Sequence, residues 1–230
     1  MAATGSPPAS GSVPIYGLDI ETDTVIDGLD PAVSPVVLAA LSTADGDEVY
    51  AGDEAELIAA LDARLRALPP GVVATWNGGV FDLPFLADRA GALGVPLGLR
   101  LVPDPTVVLG RGPLRGHQSA YRAGWYAHGH VDAYRMYRGD VGRVLGISCS
   151  LKVIARLVGL VPIEVDRERI HELSREVLDA YDASDARLAR QLTERRRPGV
   201  TRFVDRIGAV PTGLAGASPP PPTITVTPPP

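Results

Sequence analysis

The chain has 230 residues, of which 45% are hydrophobic, and carries a formal net charge of −5. This length suits one domain with a buried core, and the longest apolar runs, such as residues 36–41, are too short to cross a bilayer. The N-terminus lacks the basic and apolar regions of a signal peptide. Cys149 is the only cysteine, which excludes an intramolecular disulfide and a thiolate zinc cluster. We therefore expect a cytoplasmic protein without a membrane partner.

The two ends of the chain differ from its middle in composition. Residues 1–12 and 209–230 are rich in proline, glycine, serine and alanine, so they have little apolar surface to bury. We interpret both as disordered tails, which leaves residues 13–208 as one domain.

Within this domain, strand and helix patterns alternate. Apolar runs predict strands at 13–20, 35–43, 47–51, 72–76 and 126–131. Helical periodicity predicts helices at 54–68, with Asp53 as the N-cap, and at 83–93, 150–159 and 167–195. Residues 96–125 are rich in glycine and arginine and have only weak periodicity. This order predicts an α/β fold, a mixed β-sheet flanked by helices.

The first candidate motif is YGLDIET, in which Asp19 and Glu21 lie two residues apart at the end of an apolar strand. Because side chains alternate along a strand, both acids leave the same face. A solvated strand end could carry two acids for solubility alone.

The second motif, WNGGVFD, places Asp82 after a turn that follows another buried strand. An alternative is that Asn-Gly-Gly is turn chemistry and that Asp82 caps a helix. The two interpretations are compatible, because sites often form where strands end.

The third motif, YDASD, lies in a helical stretch. Tyr181 and Asp185 are four residues apart and therefore share a helix face. We expect Asp179 and Asp182 to point elsewhere and to be solvated.

Taken together, the three motifs indicate a metal site. Two carboxylates about 4 Å apart repel by roughly 4 kcal/mol at an effective dielectric near 20, so four converging acids require divalent cations. Carboxylate oxygens favour Mg²⁺ or Mn²⁺. Two such ions suit in-line phosphoryl transfer, because one generates the attacking hydroxide and the other stabilises the leaving oxygen. Tyr181 would orient the attacking water.

The ordered motifs resemble those of the DnaQ-like 3′→5′ exonucleases of the ribonuclease H-like superfamily, and most of all the exonuclease domain of family B DNA polymerases. The resemblance covers residues 13–192. It extends to His130-Val131-Asp132 and to residues 150–154, which follow the second motif in the expected order. The tyrosine of the third motif is typical of the DEDDy subgroup.

The resemblance implies a ribonuclease H-like fold and a 3′→5′ exonuclease with two Mg²⁺ or Mn²⁺ ions. The implied metal ligands are Asp19, Glu21, Asp82 and Asp185, and the implied catalytic residues are these four with Tyr181. Substrate contacts would come from Thr22, Asn77 and Phe81, whereas Asp132 would be supporting or structural. The implied partner is a single-stranded 3′ end, that of DNA foremost, and a DNA repair or replication protein is a candidate second partner.

Two other functions stay open. One is a catalytically idle nucleic-acid-binding or adaptor domain of the same fold, and the other is a ribonuclease H-like endonuclease, which would not need the pairing of Tyr181 with Asp185. Because 230 residues cannot also hold a polymerase, we expect the domain to act alone or to serve another protein.

Three further patterns allow two interpretations each. Tyr121, Arg122, Trp125 and Tyr126 could stack on single-stranded bases or anchor a loop. His128 and His130 could ligate a metal, but we expect satisfied or exposed histidines. Residues 111–143 carry six arginines and two aspartates, a local balance of 6 − 2 = +4 that suits a nucleic-acid partner.

Overall fold

The computed structural model describes residues 13–25, 27–108, 114–166 and 173–204. Its strands are β1 (Ile15–Thr22), β2 (Val36–Ser42), β3 (Asp47–Ala51), β4 (Val72–Thr75), β5 (Leu99–Val108), β6 (Ser119–Trp125) and β7 (His128–Asp132). Its helices are α1 (Glu54–Ala67), α2 (Asp82–Leu93), α3 (Ala133–Tyr137), α4 (Arg143–Leu145), α5 (Leu151–Leu157), α6 (Arg175–Arg195) and α7 (Arg197–Phe203), with a π-helical turn at Arg138–Gly142.

The predicted tails lie outside the described residues, and the tails, the domain limits and the cytoplasmic location stay predictions. Within the described ranges, no helix combines the length and the apolar character that crossing a bilayer requires.

The strands form one mixed sheet in the order β3-β2-β1-β4-β7-β6-β5. β1, β4 and β7 run parallel to one another, while the strands on either side of them pair antiparallel. The predicted α/β class with a mixed sheet is therefore confirmed. Since β1 and β4 are parallel, their carboxyl ends meet at one edge of the sheet, which is where the first two motifs lie.

Each face of the sheet has its own apolar core. On one face, Tyr16, Leu18 and Ile20 of β1 pack with apolar residues of α1 and α2. On the other face, Ile15 packs with Leu188 and other apolar residues of α5 and α6. The odd-numbered residues of β1 therefore face α6. Asp53 caps α1 as predicted, since its side chain accepts from the backbone N–H of Glu56 at 3.1 Å.

Helix α6 lies directly against the backbone of β1. A Cβ on Gly17 would lie 1.9 Å from the backbone oxygen of Ala186, which is far inside van der Waals contact. Only glycine, which has no side chain, fits at this position. Its presence allows α6 to approach the sheet this closely.

Residues 96–125 contain two strands that the sequence pattern did not predict. The apolar pattern of β5 is interrupted by Pro103 and Pro105. A strand tolerates proline only where no ladder hydrogen bond is needed, and β5 meets this condition because it lies at the edge of the sheet. The strand predicted at 126–131 begins later, at His128, because Tyr126 has φ 50° and forms the turn after β6.

We predict that Gly17→Ala lowers the free energy of unfolding by about 1–3 kcal/mol or more, because the new methyl group forces α6 away from β1. The measurement is chemical denaturation of both proteins.

Gly91→Ala is the matched control. Gly91 lies inside α2 with open space around its Cβ position, so alanine there should raise stability by about 0.5–1 kcal/mol. Equal effects of the two substitutions would contradict the close contact at Gly17.

Candidate active site

Asp19 and Glu21 lie at the carboxyl end of β1 and both face α6, as strand alternation predicts. A side-chain oxygen of each lies within 4.8 Å of the other and of an oxygen of Asp182. Both residues are partly buried. The structure thus places three carboxyl groups from β1 and α6 around one small volume.

The position of Asp182 contradicts the expectation that it is solvated. Its exposed fraction is 0%, and neither carboxylate oxygen has a hydrogen-bond partner among the described residues. The expectation was wrong because the contact at Gly17 fixes which face α6 turns toward β1, and the sequence of the helix alone does not reveal that face.

Asp82 of α2 acts on the same group, since its carboxylate raises the pKa values of Asp19 and Asp182. It is the first residue of α2 and is only 5% exposed. The turn before it is tight, since a Cβ on Gly78 would lie 2.8 Å from Oδ2 of Asp82 and 2.4 Å from Oγ1 of Thr75. The N-cap position of α2 belongs to Phe81, which makes no side-chain cap hydrogen bond, so the alternative of Asp82 as an N-cap is wrong.

The electrostatics show that these acids act on one another. Burial raises the pKa of Asp19 well above its ordinary value, and the carboxylates of Asp82, Asp182 and Glu21 raise it further. The pKa of Asp82 is raised to about 8, chiefly by burial and also by Asp132 and Glu21. Burial, Glu21 and Asp82 likewise raise the pKa of Asp182. Protons or cations must therefore neutralise part of this cluster.

Asp185 and Tyr181 lie beside the cluster, on the side toward α5. Both are buried, at 3% and 1% exposed. Oδ1 of Asp185 forms an ion pair with Lys152 of α5, and Nζ of Lys152 also lies 4.4 Å from the centre of the Tyr181 ring. The charge of Lys152 lowers the pKa of Asp19, so this ammonium group connects Asp185 with the other acids.

The predicted substrate-contact residues border the same edge. Asn77 has φ 71°, and its backbone N–H donates to Asp132 at 2.9 Å, so Asp132 supports the turn before Asp82. The ring of Phe81 packs 5.5 Å from that of Phe85, and the hydroxyl of Thr22 donates to the carbonyl of Gly28 at 2.9 Å. Their role toward a substrate stays a prediction.

The donor set fits a hard divalent cation. The converging atoms are all carboxylate oxygens, and Asp182 presents two buried oxygens that lack donors. Mg²⁺ and Mn²⁺ take oxygen ligands of this kind. The double charge of one such ion would offset the repulsion that raises the pKa values of the clustered acids.

The aromatic residues near the end of β6 anchor the chain. Trp125 is 2% exposed, its indole N–H donates to Asp62 of α1 at 2.7 Å, and the hydroxyl of Tyr126 donates to the same carboxylate. Of the two interpretations, loop anchoring therefore applies to these two side chains.

The strand histidines hold backbone and hydroxyl groups in place. One ring nitrogen of His128 bonds the carbonyl of Leu65 at 2.7 Å and the other accepts from Gly71 at 3.1 Å. His130 bonds the hydroxyl of Thr75 at 2.9 Å. The expectation of satisfied histidines is met at His128.

Comparison with known proteins supports the same resemblance. Residues 34–141 match the model of the DNA polymerase family B, exonuclease domain. This stretch includes Asp82 but not the acids of β1 and α6. The chain resembles the exonuclease domain of family B polymerases.

Two relatives and one solved structure extend this exonuclease-domain resemblance. The catalytic subunit of DNA polymerase epsilon from Schizosaccharomyces pombe is 30% identical over 137 residues, which are 58% of this chain and 6% of that protein. DNA polymerase 2 of Aeropyrum pernix is 31% identical over 87 residues, or 36% of this chain and 11% of that protein. The chain thus spans a small fraction of these relatives.

The family B DNA polymerase from the archaeon Pyrobaculum calidifontis shares the fold, with a TM-score of 0.61 and 24% identity over 86% of this chain and 26% of that one. The predicted resemblance and the ribonuclease H-like fold are confirmed.

Sequence reasoning missed the part that two residues play in this site, Asp182 and Lys152. Asp182 lies within the third motif, and its helix position relative to Asp185 is visible in the sequence, but the face that meets β1 is not. Lys152 is the only lysine in the chain. The signal that could have drawn attention to Lys152 is that the sole lysine lies at the start of a helix that resembles the family.

We predict that, in the presence of EDTA, the stability of the folded protein changes with pH and that Asp82 causes part of this change. A carboxyl whose folded pKa is raised keeps a proton that the unfolded chain releases above about pH 4, so folding stability falls as pH rises toward 8 and then levels off. Each retained proton contributes a slope of about 1.4 kcal/mol per pH unit. In EDTA, the melting temperature of the wild type should therefore fall from pH 5.5 to 8 more steeply than that of Asp82→Asn.

Asp45→Asn serves as the control, because Asp45 is exposed. It should follow the wild type. Parallel curves for the wild type and Asp82→Asn would show that Asp82 is not held protonated.

Proposed function

We propose that this chain is a metal-dependent 3′→5′ exonuclease that hydrolyses phosphodiester bonds from the 3′ end of single-stranded nucleic acid. One observation carries the proposal: carboxyl groups of β1 and α6 lie within 4.8 Å of one another at the carboxyl end of β1, and Asp82 of α2 acts on them electrostatically. The resemblance to the exonuclease domain of family B DNA polymerases supports the same reaction.

Asp19, Glu21, Asp82 and Asp185 are the residues that would hold two Mg²⁺ or Mn²⁺ ions. Such ions, when bound, activate water and offset the charge that develops on the leaving oxygen. In their absence the raised pKa values of Asp19 and Asp82 favour protonated carboxyl groups, which are poor ligands. Activity should therefore require a pH and an ion concentration at which the cation displaces these protons.

The protein itself supplies position and charge. The ring of Tyr181 is fixed between the core and the Lys152 ammonium group, so its hydroxyl is in a defined place to orient the attacking water. Lys152 holds Asp185 through an ion pair. Asn77, Phe81 and the backbone near Thr22 would contact the terminal nucleotides. Placement of this kind accounts for a large part of enzymatic acceleration.

We further propose DNA as the substrate, because the relatives are DNA polymerases. A surface with two further cations is available for the strand: Arg122 and Arg202 line a cavity of about 370 Å³, whose other charged residues are Asp104, Asp132 and Arg135. Not every arginine in the 111–143 segment contributes, since Arg115 pairs with Asp30 at 2.8 Å and Arg135 pairs with Asp104 at 2.7 Å.

The direct test is incubation of the chain with 5′-labelled single-stranded DNA and RNA, with Mg²⁺, Mn²⁺ or EDTA. We expect a ladder that shortens from the 3′ end of DNA, no products in EDTA, and loss of products in Asp19→Ala but not in Asp45→Ala. Internal cuts would instead indicate an endonuclease. Binding without turnover would indicate the idle domain.

A second prediction concerns Tyr181. Tyr181→Phe keeps the ring against Lys152 but removes the hydroxyl, so kcat should fall by about a hundredfold, the cost of a misplaced reactant, while KM for DNA and the Mn²⁺ affinity stay close to wild type. The measurement is steady-state kinetics alongside a Mn²⁺ titration. An unchanged kcat would rule out a water-orienting role.

A further inference from the structure

The contact between α6 and β1 fixes which residue of α6 faces Asp19. Gly17 lies against the backbone of Ala186. Two residues along a strand advance about 6.6 Å, and four residues along a helix advance about 6 Å. Helix α6 runs in the opposite direction to β1. The residue of α6 that lies next to Asp19 is therefore four positions before Ala186, on the same face of the helix, and this residue is Asp182. This register explains why oxygens of Asp182, Asp19 and Glu21 lie within 4.8 Å of one another.

The other acid of the third motif faces a different neighbour. At about 100° per residue, Tyr181 and Asp185 are both turned to one side of Asp182, which is the side where α5 supplies Lys152. Asp185 is therefore already paired with a cation from the protein.

Asp182 has no such cation among the described residues. Both its oxygens are buried without a hydrogen-bond partner. The arginines that precede and follow it on α6 are engaged elsewhere: Arg175 with Asp179, Arg187 with Asp47, and Arg190 with Glu194. A buried carboxylate without a counter-charge is costly, so Asp182 must either keep a proton or lie against a cation.

We propose that Asp182 is an additional carboxylate ligand that binds a divalent cation together with Asp19 and Glu21. This inference rests on the metal site of the proposed function. An ion with ligand distances of about 2.1 Å holds its oxygens about 3–4.2 Å apart, so small side-chain rotations suffice to close the present separations. Asp185, held by Lys152, then lies at the border of this site, where a second ion or the substrate would approach.

A competing arrangement uses the same geometry without a metal. Asp182 could stay protonated and donate its proton to Asp19 as a purely structural hydrogen bond. The two arrangements differ in what Asp182→Asn does, because asparagine can still donate to Asp19 but brings no negative charge to a cation.

The experiment compares Asp182→Asn and Asp182→Ala with the wild type, and uses Asp179→Asn as the matched control, because Asp179 is a half-exposed acid of α6 that already pairs with Arg175. Free Mn²⁺ is titrated by electron paramagnetic resonance, and melting temperatures are measured in EDTA and in Mn²⁺. We expect Mn²⁺ affinity to fall at least tenfold in both Asp182 variants and not in Asp179→Asn. We also expect the melting temperature of Asp182→Asn in EDTA to rise, because repulsion is relieved, and its gain on adding Mn²⁺ to shrink.

Unchanged Mn²⁺ affinity in Asp182→Asn would overturn the proposal in favour of the structural hydrogen bond, which asparagine preserves. Nuclease activity is scored separately. If the wild type binds Mn²⁺ through Asp182 but does not shorten DNA, the ligand role stands and the proposed function fails. If the wild type shortens DNA while Asp182→Asn binds Mn²⁺ normally, the proposed function stands and the ligand role fails.

Discussion

Helix α6 rests on strand β1 at a point where the strand has no side chain. A methyl group at Gly17 would overlap the backbone of Ala186, so the contact distance, and with it the register of helix against strand, depends on one glycine. The register places Asp182 opposite Asp19 and Glu21, and it turns Tyr181 and Asp185 toward Lys152. The chemistry of the site therefore depends on this contact.

The consequence is an accumulation of negative charge that the rest of the domain must stabilise. Burial and mutual repulsion raise the pKa values of Asp19, Asp82 and Asp182. Two apolar cores, one on each face of the sheet, hold the elements that carry these acids. Lys152 offsets part of the charge, but it is the only lysine and faces one side of the group. We therefore expect the metal-free domain to be less stable, and a bound divalent cation would restore that stability.

The sequence predicts the strand part of the site well because strand alternation has a period of two. Asp19 and Glu21 had to share a face, and the buried residues on both sides of β1 confirm a strand between two layers. Asp82 was expected at the site because it follows a turn at the end of another buried strand. The ordered motifs also predicted the ribonuclease H-like fold, which the solved structure of a family B polymerase confirms.

The helical part was less predictable for a physical reason. Spacing along a helix shows which residues share a face, but the face that packs on the sheet depends on the partner, here on Gly17. Asp182 was therefore expected in solvent although it is fully buried. Similarly, β5 escaped prediction because Pro103 and Pro105 interrupt its pattern, and a proline is acceptable in that strand only because β5 is at the sheet edge. Both errors concern tertiary context, which a local pattern does not contain.

The most direct test of the metal site is a crystal structure of the chain grown with Mn²⁺, with anomalous scattering used to locate the ions. We expect an anomalous peak about 2.2 Å from carboxylate oxygens of Asp19 and Glu21, with Asp182 among the ligands. Anomalous density bound elsewhere, or an Asp19–Glu21–Asp182 group that stays free of Mn²⁺ at millimolar concentration, would contradict it.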